Sequence, residues 1–170
     1  MIGSIGRTWR FALATVAGLA IGALATQAAR ADGVVSVDKS GVAIQGYDPV
    51  AYFTDGAPAQ GSAAHTAEWQ GAVWHFASAA NRDAFVASPE KFAPQYGGWC
   101  AYGATKGYAA ETDPANGWTV RDGKLYLNWD AAVKQEWSQD IPGNLRKSEA
   151  NWPAIEAGLA DGTATIYRKE

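Results

Sequence analysis

The chain reads as a small α+β domain of β-hairpins with short helices between them and further helices on its C-terminal side. Three observations point there. Two turns ending in glycine, Gln70-Gly71 and Asp122-Gly123, each join apolar, alternating segments, which is the signature of a hairpin. Ser78 and Asp130 each stand just before a helical pattern, where a side-chain oxygen can accept from the first turn. Proline and glycine punctuate the intervening chain and keep the elements short.

The elements follow in order. Val42 to Tyr47 reads as extended, and Asp48-Pro49 bends the chain. Val50 to Phe53 is a short apolar strand or turn, followed by a loop at Thr54 to Pro58. The first hairpin runs from His65 to Ala77 and turns at Gln70-Gly71. Its register sets Trp69 opposite Ala72, Thr66 opposite His75 and His65 opposite Phe76. Ala72, Trp74 and Phe76 then share one face, with Val73, His75 and Ala77 on the other. A helix is expected from about Ala79 to Ala87 with Phe85 inward, then a short turn from Pro89 to Phe92. The second hairpin spans Trp118 to Asn128. Asp130 caps a helix from Ala131 to about Gln139, with Val133 and Trp137 on one face. Ile141-Pro142-Gly143 is expected to break it, and a last helical stretch runs from Asn144 to about Ala160, kinked at Pro153. The tail from Asp161 is expected to be loose.

Ahead of this domain, residues 1–31 read as a cleaved secretory leader. Arg7 and Arg10 form a basic start, Phe11 to Ala25 is apolar, and Ala29-Arg30-Ala31 supplies small residues before a cut at Asp32. The apolar run is short of the ~20 residues that span a bilayer core. Residues 32–170 are then one domain, and a Gram-negative periplasm, or the exterior, is the expected compartment. The 170-residue chain carries a net charge of −3. Cleavage removes Arg7, Arg10 and Arg30 and no acid, which leaves the mature chain near −6. Nucleic acid and anionic membrane surfaces are disfavoured partners for so acidic a chain.

Several ordered segments resemble the exported, longer branch of the YHS-domain proteins. These are Gly46 to Phe53, Glu68 to Ser78 with Asn81, Phe85 and Pro89 to Phe92, Pro94 to Tyr102, Asp122 to Asn128, and Asp140 to Asn144. The resemblance covers about residues 40–155. It implies a treble-clef-like core from a family whose metal-binding members hold metal through cysteines. Laid onto this chain, those cysteine positions hold Ala51, Ala77 and Asn81. The soft thiolate site that selects Cu(I) or Zn is therefore missing. Some relatives in that branch are described as selenoproteins, and Cys100 is the matching position here.

Cys100 is the only cysteine, so no internal disulfide is possible. It follows Gly97-Gly98, whose backbone freedom can bring main-chain N–H groups to a thiolate and lower its pKa. The alternative is a tight turn beside a small buried hydrophobe. Trp99 and Tyr102 flank the thiol, and Tyr47 and Asp48 are further candidate ligand contacts, Asp48 also fitting an Asx-turn. His65 and His75 are the other possible metal ligands. No Ser/His/Asp set, HExxH, P-loop or dinucleotide fingerprint occurs, so no enzyme class is indicated. The first expectation is an exported binding domain for copper or another soft metal, held by Cys100 with His65, His75 or a nearby tyrosine completing a sparse site. The second is a thiol-dependent redox protein working through Cys100. The third is an aromatic pocket for a small molecule.

Overall fold

The structure, a computed structural model, describes residues 34–170. The leader at 1–31 lies outside the described residues. The class is α+β, with small antiparallel sheets and several helices including a long C-terminal one. Among the described residues the strands form three separate two-stranded sheets rather than one.

The chain enters along the Gly97 backbone, with Ser36 N–H donating to Gly97 O at 2.8 Å. The segment expected to be extended at 42–47 is extended at Val42, Ala43 and Tyr47, which form β-bridges, but is interrupted at 44–46 by a left-handed turn. Ile44, Gln45 and Gly46 have φ of 41°, 56° and 77°, and a β-branched residue at positive φ is strained. Tertiary bonds hold it there: Ala43 N–H to Val73 O at 2.8 Å, Gly61 N–H to Gly46 O at 2.8 Å, and Gln45 Nε2 to Thr112 O at 2.8 Å. A short helix, α1 (Ala51–Thr54), follows.

Strands β1 (Ser62–Trp69) and β2 (Ala72–Phe76) pair as expected from Trp69↔Ala72 to Thr66↔His75. The register then shifts, and Ser62 pairs with Phe76. A bulge of this kind bends the strand and leaves its extra residues unpaired. His65 falls inside it and does not face Phe76. Ala72, Trp74 and Phe76 turn inward together. Helix α2 (Ala79–Ala87) starts where Ser78 Oγ accepts from Asn81 N–H at 3.1 Å, and α3 (Pro89–Phe92) has proline in its first turn. Phe85 packs at 5.2 Å from both Trp74 and Phe76, centroid to centroid. Each such large apolar side chain stabilises the fold by roughly 2–3 kcal/mol on burial.

A second left-handed turn, Tyr96-Gly97-Gly98 (φ 56°, 58°, 83°), leads into α4 (Ala101–Ala104) and β3 (Ala109–Ala110). Strands β4 (Trp118–Arg121) and β5 (Lys124–Leu127) pair from Trp118↔Leu127 to Arg121↔Lys124. Helix α5 (Ala131–Trp137) is capped by Asp130, whose Oδ1 accepts from Val133 N–H at 2.8 Å. Helix α6 (Ile141–Asp161) includes the residues expected to break it. Pro142 sits in the first turn, where its missing N–H costs nothing, and Asp140 Oδ1 accepts from Gly143 N–H at 3.0 Å.

The segment after α6 is tied down, not loose. Strand β6 (Ile166–Tyr167) pairs in parallel with β3. Ala109 N–H donates to Thr165 O at 3.0 Å and Glu111 N–H to Tyr167 O at 2.9 Å. Arg168 pairs with Glu111 at 2.9 Å. Among the described residues no helix is long and apolar enough to cross a membrane.

Candidate functional site

Cys100 leaves the second left-handed turn as the residue preceding α4. Gly97 and Gly98 are both required in that turn. A Cβ on Gly97 would stand 2.5 Å from Val34 O, and one on Gly98 2.7 Å from Ile44 Cγ2. Cys100 N–H donates to Ala110 O at 2.9 Å, which fastens the turn to β3. A four-residue helix cannot stand alone, and α6 supports this one. Ser148 Oγ donates to Ala101 O at 3.0 Å, and Asn151 Nδ2 donates to Ala104 O at 3.0 Å and Thr105 O at 3.2 Å. The side chains of α6 thus satisfy carbonyls that a helix end leaves open.

Cys100 is among the residues that line a cleft of about 270 Å³. Tyr102, Tyr108, Trp129, Val133 and Tyr167 form most of its wall. Four segments supply these residues: α4 and the loop after it, the residue after Asn128, α5, and the strap at 163–170. Tyr108 and Tyr167 meet edge to face at 4.6 Å. A Cβ on Gly103 would touch the Tyr108 ring at 3.0 Å, so glycine lets that ring close over the thiol. Lys106 Nζ lies 4.9 Å from the Tyr102 ring centre and Lys169 Nζ 5.2 Å from that of Trp129, within cation–π range.

Cys100 is 2 % exposed. Gly103 N–H donates to the sulfur at 3.4 Å, and the thiol donates to Asn128 Oδ1 at 3.7 Å. Burial pushes the thiol above its ordinary pKa, against the pull of the main-chain N–H groups of Gly103, Trp129 and Tyr102. At rest it is therefore a protonated thiol set in a ring of donors. The depressed pKa expected from the Gly-Gly loop is not found, because desolvation of the charged form outweighs the hydrogen bonds that would stabilise it. Asn128 is fully buried. Its Oδ1 also accepts from Tyr102 N–H at 3.1 Å, while its Nδ2 has no partner among the described residues.

Of the seven residues singled out by sequence, only Cys100 and Tyr102 line the cleft. Trp99 turns the other way, into a core with Ala104, Ala109, Ile155 and Leu159, and its Nε1 donates to Val34 O at 2.7 Å. Tyr47 packs against the main core and bridges to Gln60. Asp48 is fully buried, and its acceptors are taken by Val50 N–H at 2.8 Å, Ala77 N–H at 2.9 Å and Asn81 Nδ2 at 2.6 Å. It is thus not presented to a ligand. Two of these donors, Ala77 and Asn81, occupy positions where the YHS resemblance places metal-binding cysteines.

His65 and His75 lie on the first hairpin, half-buried, and neither lines the Cys100 cleft. Among the described residues no three His, Cys, Asp or Glu side chains come together as a metal site, so Cys100, His65 and His75 are not one ligand set. Sequence reasoning missed Asn128, Tyr108, Trp129, Val133 and Tyr167 as site residues. A polar Asn128 ending the apolar run Leu125-Tyr126-Leu127 was the one readable signal. No family model, curated protein or solved structure matches the chain.

Proposed function

We propose that the chain is an exported YHS-like protein with a treble-clef-like core, and that it works through the thiol of Cys100 on a small, apolar-bodied organic molecule held in the aromatic cleft. One observation carries the reading. The sole cysteine lines a cleft walled by aromatic rings, with the main-chain N–H of Gly103 directed at its sulfur at 3.4 Å. Fixed donors aimed where charge develops lower the barrier to a reaction that makes sulfur anionic. The apolar wall favours a substrate with a hydrophobic body, such as an organic hydroperoxide.

The chemistry balances with an external thiol. The peroxide passes one oxygen to sulfur, giving a sulfenic acid on Cys100 and an alcohol. A small thiol then condenses with the sulfenic acid, releasing water and forming a mixed disulfide. A second small thiol displaces Cys100 and leaves as the oxidised disulfide. An outside reductant is required because the sequence holds no second cysteine. A soft-metal role has only the one thiolate ligand to rest on and is supported less well.

The test is sulfenic-acid trapping with a dimedone-type probe after treatment with cumene hydroperoxide or hydrogen peroxide. The expected result is an adduct at Cys100, faster with the aromatic hydroperoxide, and none in Cys100→Ala. A folded chain that forms no adduct while the urea-unfolded chain does would show that Cys100 is packing alone and would end the proposal.

A further inference from the structure

Asn128 is pinned by its backbone. Its N–H donates to Gly117 O at 2.8 Å, and its carbonyl accepts from Asp113 N–H at 3.0 Å. Its one soft motion is rotation of the carboxamide. In the resting arrangement Oδ1 takes two donors, the Cys100 thiol and Tyr102 N–H, while the buried Nδ2 takes none. An unpaired buried N–H is costly, and native structures rarely keep one without cause.

The arrangement suits a neutral thiol and opposes a thiolate. Once the sulfur loses its proton, Oδ1 and sulfur face each other as two acceptors. A half-turn of the carboxamide exchanges Oδ1 and Nδ2. It gives the unpaired N–H an anionic partner and frees Tyr102 N–H, which already lies among the groups favouring charge on the sulfur, at the cost of setting Nδ2 beside that N–H and Oδ1 where Nδ2 stood. We propose that Asn128 is a positioning residue whose carboxamide turns over to convert Cys100 from a thiol site into a thiolate site.

The surrounding charges do not supply the same service. Asp130, capping α5, opposes a thiolate, and Glu136 on the same helix is engaged by the Tyr102 hydroxyl. Lys106 and Lys169 stand against the outer rings of Tyr102 and Trp129. Tyr108 and Tyr167 add neutral phenols. The donor to a newly formed thiolate must therefore come from the site itself. The inference deepens the reading of Cys100 as a working thiol, yet the switch is readable with no substrate present.

The experiment titrates the thiol through its thiolate absorbance in wild type and in Asn128→Leu, which keeps the branched outline of the side chain and removes both polar atoms. The expected result is an upward shift of about one pH unit or more and roughly tenfold slower iodoacetamide alkylation at neutral pH. An unchanged or lower thiol pKa overturns the proposal, because it would mean that Asn128 serves only as acceptor for the thiol proton. Should Asn128→Leu fail to fold, the Asn128 side-chain ¹⁵NH₂ resonance of wild type decides. It must move with the thiol titration and stay still in Cys100→Ala, and a resonance that ignores the titration equally overturns the switch. Absence of a sulfenic adduct beside a normal titration would strike the redox role and leave the switch standing.

Discussion

Two of the buried polar groups in this fold, Asp48 and Cys100, are treated in opposite ways. Asp48 is closed: its carboxyl oxygens accept from Val50, Ala77 and Asn81, joining the turn before α1 to the end of β2 and the start of α2. Cys100 is left unsatisfied: burial disfavours its charged form, its neighbour Asn128 keeps an unpaired N–H, and a cleft adjoins it. A satisfied network specifies structure, while an unsatisfied one beside a cavity marks the place where another state or another molecule completes the bonding. Asp48 is thus the fold's fastening and Cys100 the proposed working point, although both looked like site candidates in the sequence.

The comparison can be broken at either end. The largest effect belongs to Asp48→Ala, which strands buried donors at the β2–α2 junction and should cost roughly 3 kcal/mol or more. Urea denaturation measures it, and the alkylation rate of the remaining folded molecules should stay as in wild type. A changed thiol rate there would mean that the two regions are coupled.

Gly97→Ala comes next, at about 2 kcal/mol. It places a Cβ at positive φ and against the Val34 carbonyl, and the left-handed backbone alone costs roughly 1–2 kcal/mol in a residue with a side chain. Because this turn delivers Cys100, both melting temperature and thiol reactivity should move, unlike the Asp48 case.

Alkaline pH separates them without mutation. Burial raises the Cys100 thiol above its unfolded value and pushes Tyr96 up to about 12, and Tyr52 is raised further for the same reason. A raised folded pKa gives stability that is whole below the unfolded pKa, about 8.5 for Cys and 10 for Tyr, and is lost as pH climbs through the folded one. Stability should fall from about pH 8.5 upward, by no more than about 1.4 kcal/mol per pH unit for each group. Cys100→Ala should remove the first part of that fall, as pH-dependent urea melts would reveal.

Glu111→Gln should change stability least, by under about 1 kcal/mol, since its pair with Arg168 is partly exposed. It loosens the strap that carries Tyr167, so alkylation of Cys100 should rise several-fold. An unchanged rate would show that Tyr167 does not restrict access to the thiol.

What the sequence revealed was local chemistry. The hairpin turns at Gln70-Gly71 and Asp122-Gly123 and the caps at Ser78 and Asp130 depend on neighbouring residues, and each was legible. The left-handed turn at Ile44 was not, because bonds to Val73, Gly61 and Thr112 override the extended preference of a β-branched residue. The site itself was legible only at Cys100 and Tyr102. Its walls come from Tyr108, Trp129, Val133 and Tyr167, which converge through α6 and a parallel pairing that no spacing rule announces. Trp99 was misplaced because adjacency to Cys100 carries no information about which way a ring points.

The parallel pairing of β6 with β3 has a practical side. Tyr167, three residues before Glu170, is 53 % exposed on its outer side while it walls the cleft, and the last bonds holding it are those of Arg168 and Lys169 to Glu111. Anything joined covalently after Glu170 would hang from the cleft wall. A purification tag placed there would act as a loose handle on the doorway to Cys100, altering what enters while melting curves looked normal. Labels and surface tethers are better attached in the exposed loop at Asp55 to Ala57, which contributes no bond to Asp48 and does not line the cleft.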